Sequence, residues 1–164
     1  ILLQVMENQR DDLVVILAGY ADRMERFFES NPGMKSRIAH HVDFPDYSNA
    51  ELGEIAQGIA KQTASHIDAA AASVFDRAVS HLADVTVPDP RVPSTMRPAL
   101  DVGGNGRFVR NVIEAALDEL NLRVFGPSGP AEPSAHDMTT ITEADMHAAL
   151  ATVITSGIGE VGQW

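Results

Sequence analysis

Phe44-Pro-Asp-Tyr-Ser-Asn-Ala-Glu51 is where the pattern of this chain changes. Pro45 cannot donate a ladder hydrogen bond and stops the extended segment before it. Ser48 followed three residues later by Glu51 spells a capping box, with the serine side chain taking the Glu51 N–H and the glutamate taking the Ser48 N–H. Leu52, Ile55, Ala56 and Ile59 then recur at helical spacing and predict a buried stripe. The boundary divides the chain into residues 1–47, residues 48–156 and a tail over residues 157–164.

Before the boundary, Leu2, Leu3 and Met6 share one helical face, and the polar residues 8–12 end that helix. Leu13-Val-Val-Ile-Leu17 is a continuous apolar run of strand length, the pattern of a central strand covered on both faces. Gly19 breaks it, and residues 21–30 return to helical spacing with Met24, Phe27 and Phe28 as core or interface. Asn31-Pro32-Gly33 is a turn, and residues 38–44 predict a second strand. Helix, strand, helix, strand is the order of a parallel α/β sheet. Two strands do not stabilise such a sheet. Further strands are therefore expected before Ile1, where the chain starts inside an apolar, helix-like pattern.

After the boundary the pattern is helical. Asp68 caps a second helix with Val74, Phe75, Ala78, Val79 and Leu82 inward. Residues 86–99 hold four of the nine prolines and read as a loop. Asn105 opens a third helix that buries Phe108, Val109, Val112, Ile113, Ala116, Leu117 and Leu120. Residues 126–137 read as a linker, and Thr142 with Asp145 starts a fourth helix bearing Met146, Leu150 and Val153. The fold class is α/β plus α: part of a parallel sheet followed by a four-helix unit.

At 164 residues the chain can bury one sizeable core or two small ones. Its net charge of −11 excludes general affinity for nucleic acid or anionic membrane, which need a basic face. No apolar run approaches the roughly 20 residues of a membrane helix. With no cysteine there is no disulfide framework and no thiolate metal site. The composition suits a cytoplasmic protein.

Two arginine-bearing stretches carry candidate chemistry. In Gly103-Gly-Asn-Gly-Arg-Phe-Val-Arg-Asn111, Arg107 and Arg110 sit at the positive end of a helix, where cations are usually unfavourable. A phosphate would compensate them, helped by free N–H groups and by the close approach that Gly104 and its neighbours permit. A surface pairing with Asp101 or Glu114 would also do so. In Ser30-Asn-Pro-Gly-Met-Lys-Ser-Arg37, Arg37 follows a tight turn at a strand edge. It reads either as an arginine finger for a neighbour's phosphate or as a solvated cation beside Lys35. His40 and His41 point to opposite faces of a strand and share no ion. His66, His81, His136 and His147 lack ligand spacing. Asp11-Asp12, Asp43 and Asp46 fall at element ends, and neither Ser30 nor Ser36 has a local base.

Taken together, residues 4–20, 30–37 and 38–47 closely resemble the CbbX/CfxQ branch of AAA+ ATPases, a likeness that resumes over residues 104–116 and weakly over residues 141–150. The resemblance implies that the phosphate-binding loop and the Walker B strand precede the segment given. It places Arg37 at the arginine-finger position and Arg107 at the sensor 2 position on a helical lid, with Gly104 and Arg110 beside it. Tyr20 falls near the sensor 1 position, where a small polar residue is usual. ATP and Mg²⁺ are the implied cofactors, their ligands mainly upstream. The implied assembly is a homo-oligomer, as a hexameric ring, acting on a protein client. For a Rubisco activase that client is the Rubisco large subunit and the effector ribulose bisphosphate. The same engine also resembles branch members serving type VII secretion or sporulation, and a chain lacking the loop would be a non-catalytic interaction module.

Overall fold

The computed structural model describes residues 2–9 and 12–159, apart from the Asp22 side chain. Ile1, Arg10, Asp11 and residues 160–164, on which parts of the sequence reading fall, lie outside the described residues. The chain divides into two compact units, Ile1–Pro45 and Asp46–Trp164.

The first unit holds α1 (Leu2–Asn8), α2 (Ala21–Ser30) and α3 (Pro32–Lys35). Pro32 ends α2 and starts α3, since its fixed φ suits a first helical turn that needs no N–H. Met34 on α3 is buried. The expected strands over residues 13–17 and 38–44 are not formed: among the described residues of this unit there is no ladder. A strand satisfies its N–H and C=O groups only against a neighbour, and neither run has one here. Their apolar side chains are left open, with Ile16 85% and Phe44 91% exposed.

The second unit is built on α4 (Asn49–Gln62), α5 (Ala69–Asp84), α7 (Gly106–Phe125) and α9 (Glu143–Gly157). The Ser48–Glu51 capping box forms, and Asp68 caps α5 through the Ala71 N–H. Leu52 and Ala56 of α4, Phe75 and Val79 of α5, Phe108 and Val112 of α7, and Met146 and Leu150 of α9 close one core. Leu117 and Val153 lie at its rim.

Residues 86–99 are not a loop. They form an antiparallel pair, β2 (Thr86–Asp89) and β3 (Val92–Pro98), leading into the short α6 (Ala99–Gly103). A two-stranded ribbon is all edge, so prolines that lack an N–H remove no interior ladder bond. The Asp89 side chain accepts the Arg91 N–H at 2.8 Å to close the turn, and Arg97 bridges Asp89 and Asp101. The expected linker also contains structure: a Ser134–Asp137 capping box starts α8 (Ala135–Thr139). Beyond Gly157 the chain is not frayed at once. The N–H groups of Ile158 and Gly159 both bond to the Ile154 carbonyl at 2.9 Å, and Ile158 packs on the core.

A two-residue parallel pairing joins β1 (His66–Ile67) to β4 (Thr140–Ile141) and brings the front of α5 to the front of α9. Beside it lies the one buried carboxylate among the described residues, Asp145. Arg123 on α7 donates to both its oxygens, from Nε at 3.0 and 3.1 Å and from Nη2 at 3.0 Å. The same Nη2 donates to the Thr140 carbonyl at 2.9 Å. Thr142 adds its N–H at 2.9 Å and its hydroxyl at 2.8 Å. Burial pushes the Asp145 carboxyl up, but the Arg123 and Thr142 hydrogen bonds outweigh it and hold it below the ordinary carboxylate range.

Asp145→Asn leaves Arg123 facing a neutral amide that keeps one acceptor oxygen and cannot form the ion pair. The expected loss is about 3 kcal/mol, at the low end for a broken buried pair because Arg123 is partly exposed. Thermal unfolding followed by circular dichroism should show a fall in Tm of roughly 6–12 °C. A depressed folded pKa means that the contribution is full above the ordinary value of about 3.9 and is lost as pH falls below it. The parent should therefore lose more stability on acidification than Asp145→Asn, and parallel acid profiles would count against the pair.

Candidate functional site

The arginine-rich stretch of the second unit sits where α6 hands over to α7. The Gly104 N–H bonds to the Asp101 carbonyl at 3.0 Å, and the Asn105 N–H to the Leu100 carbonyl at 3.1 Å. This is a Schellman motif, and it requires a left-handed residue. Gly104 supplies it with φ 89°. The contribution of Gly104 to the site is therefore conformational, since it ends α6 and aims the chain into α7.

The next turn follows without a spacer. The Arg107 N–H bonds to the Gly104 carbonyl at 3.0 Å across Asn105 and Gly106. Asn105 has φ 52° and ψ −110°, the second-residue geometry of a type II′ turn, a position that glycine serves best. A Cβ on Gly106 would lie 3.2 Å from the Tyr47 ring, so glycine lets that ring close on the helix start.

Arg107 and Arg110 differ in their surroundings. Arg110 makes a loose i,i+4 pair with Glu114 at 3.9 Å, both side chains well exposed. Such a pair contributes about 0.3–0.5 kcal/mol. Arg107 is exposed and makes neither an ion pair nor a side-chain hydrogen bond among the described residues. Asp101, the other carboxylate considered for it, is engaged by Arg97 at 3.5 Å. Of the two carboxylates that would compete with a phosphate, Glu114 is taken by Arg110 and Asp101 by Arg97, which leaves Arg107 unpaired among the described residues.

Arg37 belongs to the first unit. Its Nε donates to Glu7 Oε2 at 3.0 Å and its Nη1 to the Gly33 carbonyl at 2.9 Å. Glu7 comes from α1 and Gly33 from α3, so the guanidinium is oriented rather than loose beside Lys35. Both partners of the ion pair are exposed, at 38% and 51%. An exposed pair contributes at most about 1 kcal/mol, so it exchanges readily for a stronger anion.

The fold gathers residues that the sequence kept apart. His66 Nε2 lies 2.9 Å and His136 Nδ1 3.1 Å from the hydroxyl oxygen of Thr140. One hydroxyl hydrogen serves one imidazole, so the other ring must donate to the oxygen. Among the described residues no group of three or more His, Cys, Asp or Glu could hold a metal. Asn105 was legible only as a helix opener, yet its Oδ1 is the one buried side-chain polar atom without a partner among the described residues. An asparagine between two glycines was the available signal.

Residues 48–156 match the family model described as AAA lid domain. The chain is 46% identical over 149 residues to Protein CfxQ of Xanthobacter flavus, covering 91% of this chain and 42% of that protein. It is 45% identical over 149 residues to the chromosomal Protein CbxX of Cupriavidus necator, with the same coverage of 91% and 42%. It is 38% identical over 160 residues to the ESX-3 secretion system protein EccA3 of Mycobacterium leprae, covering 96% of this chain and 24% of that protein. The chain thus spans well under half the length of these relatives. No helix among the described residues is long and apolar enough to cross a membrane. By the match over residues 48–156, this chain belongs to the AAA lid domain family.

Proposed function

We propose that this chain contributes the arginine half of a shared ATP site in an AAA+ ATPase that remodels a protein client. The observation that carries this reading is Arg107: exposed, unpaired among the described residues, and two residues past a glycine-pinned junction at the start of the lid's longest helix. A cation left alone at the positive end of a helix is disfavoured until an anion arrives. Arg107 contacts the nucleotide of its own subunit. Arg37 reaches the γ-phosphate of a neighbour in a homo-oligomeric ring, where a finger stabilises transition-state charge. ATP and Mg²⁺ are the cofactors; this chain offers phosphate contacts and leaves the metal to other segments.

The client we favour is Rubisco, with ribulose bisphosphate as effector, because identity is higher to CfxQ at 46% than to EccA3 at 38%. The EccA3 likeness extends over 96% of this chain and supports a second reading, in which the same engine serves a secretion system.

In the full-length protein, Arg37→Ala should cut ATP turnover by roughly 10³–10⁵ while nucleotide binding persists. Normal turnover in an assembled variant would sink the finger role. Arg107→Ala should reduce turnover at least tenfold, whereas Arg110→Ala should change it little; equal effects would remove the distinction drawn between them. Ribulose bisphosphate should stimulate ATPase and Rubisco reactivation together. If neither responds, the secretion reading takes precedence, and absence of any ATPase would make the chain an interaction module.

A further inference from the structure

Asn105 is an unfavourable choice for its place. Its N–H is tied to the Leu100 carbonyl at 3.1 Å, and its carbonyl accepts the Val109 N–H at 3.3 Å. Pinned on both sides, the residue keeps φ 52°, which glycine adopts without strain. Asparagine is a preferred helix N-cap, yet here the side chain makes no capping bond to α7. Instead the residue is 9% exposed, and its Oδ1 is buried with no donor among the described residues. A local choice that costs stability several ways points to a role outside stability.

Two residues later lies the complementary deficiency. Arg107 has five N–H donors and no acceptor among the described residues. Side chains in a helix lean toward its N-terminus, and the Arg107 Cβ and Cδ lie 3.4 and 3.8 Å from where a Cβ on Gly104 would stand, so the side chain runs back along the turn that contains Asn105. An unused buried acceptor and an unused donor fork thus flank one turn.

We propose that Asn105 is a positioning residue for Arg107. When a phosphate engages Arg107, the Asn105 side chain rotates out, its Oδ1 accepts an Arg107 N–H, and its amide N–H₂ donates to the anion. The cation alone would not stay paired to a neutral amide exposed to water, so the bound anion is what makes the outward position favourable. The rotation converts an orphaned acceptor into a satisfied one and orients the guanidinium. This rests on the reading of Arg107 as a phosphate contact and names what holds it there.

The test uses this chain, inorganic tripolyphosphate at low ionic strength, and the backbone amide shifts of residues 106–109. Asn105→Gly keeps the turn and removes the carboxamide. Tm should rise by a few degrees while tripolyphosphate affinity falls roughly tenfold, the expected effect of losing a hydrogen bond to a charged group. In an Arg107→Ala background, the same change should have little further effect on affinity. A structural asparagine would raise Tm and leave affinity unchanged, which overturns the proposal, as does a full tenfold loss that persists without Arg107. Parent chain that shows no shift overturns it too. If Arg107→Ala binds as well as the parent, the Arg107 reading itself fails, and that outcome is distinct from failure of Asn105 alone.

Discussion

A carboxylate can be buried among apolar side chains only when its lone pairs are engaged, and Asp145 meets that condition through Arg123 and Thr142 together. The arrangement fixes more than a charge. Arg123 belongs to α7, Thr142 and Asp145 to the start of α9, and the Thr140 carbonyl held by the same guanidinium to β4. One guanidinium therefore sets the register between the two most intimately packed helices and the short parallel pairing beneath them. Replacing the pair with apolar groups would cost less than breaking it. What the ions provide is direction, since a planar fork meets a carboxylate in one orientation.

That direction matters at the other end of α7. Phe108, Val109 and Val112 are buried, so the first turn is anchored from below, and the Schellman motif at Gly104 anchors it from behind. Arg107 leaves this rigid start on its exposed side, while Arg110 one turn on is already paired with Glu114. A site on a rigid element next to a strained turn is how positioning and responsiveness coexist. Among the described residues, the one buried side-chain polar atom without a partner, Asn105 Oδ1, lies at this start.

The first unit shows the opposite case. Its apolar runs over residues 13–17 and 38–44 read as strands in the sequence, yet they form no ladder among the described residues, and Ile16 and Phe44 stand exposed. Arg37 is nonetheless oriented, because Glu7 and the Gly33 carbonyl reach it from two short helices. Its placement needs local turns rather than a completed sheet.

Sequence alone determined what depends on neighbours along the chain: the capping boxes at Ser48 and Thr142, the Asp68 cap, the apolar stripes of α4, α5, α7 and α9, and the two arginine stretches as candidates for holding phosphate. These follow from period and from groups three or four residues apart. It misread residues 86–99 because prolines count against strands in general, and only a free-standing ribbon, with no interior to interrupt, tolerates so many. The Arg123–Asp145 pair and the meeting of His66 with His136 on Thr140 span 22 and 74 residues, beyond any local signature. Only the tertiary structure could separate Arg107 from Arg110. A cation unpaired among the described residues and a paired one have the same spacing in sequence, and what distinguishes them is which carboxylates the fold has already committed elsewhere.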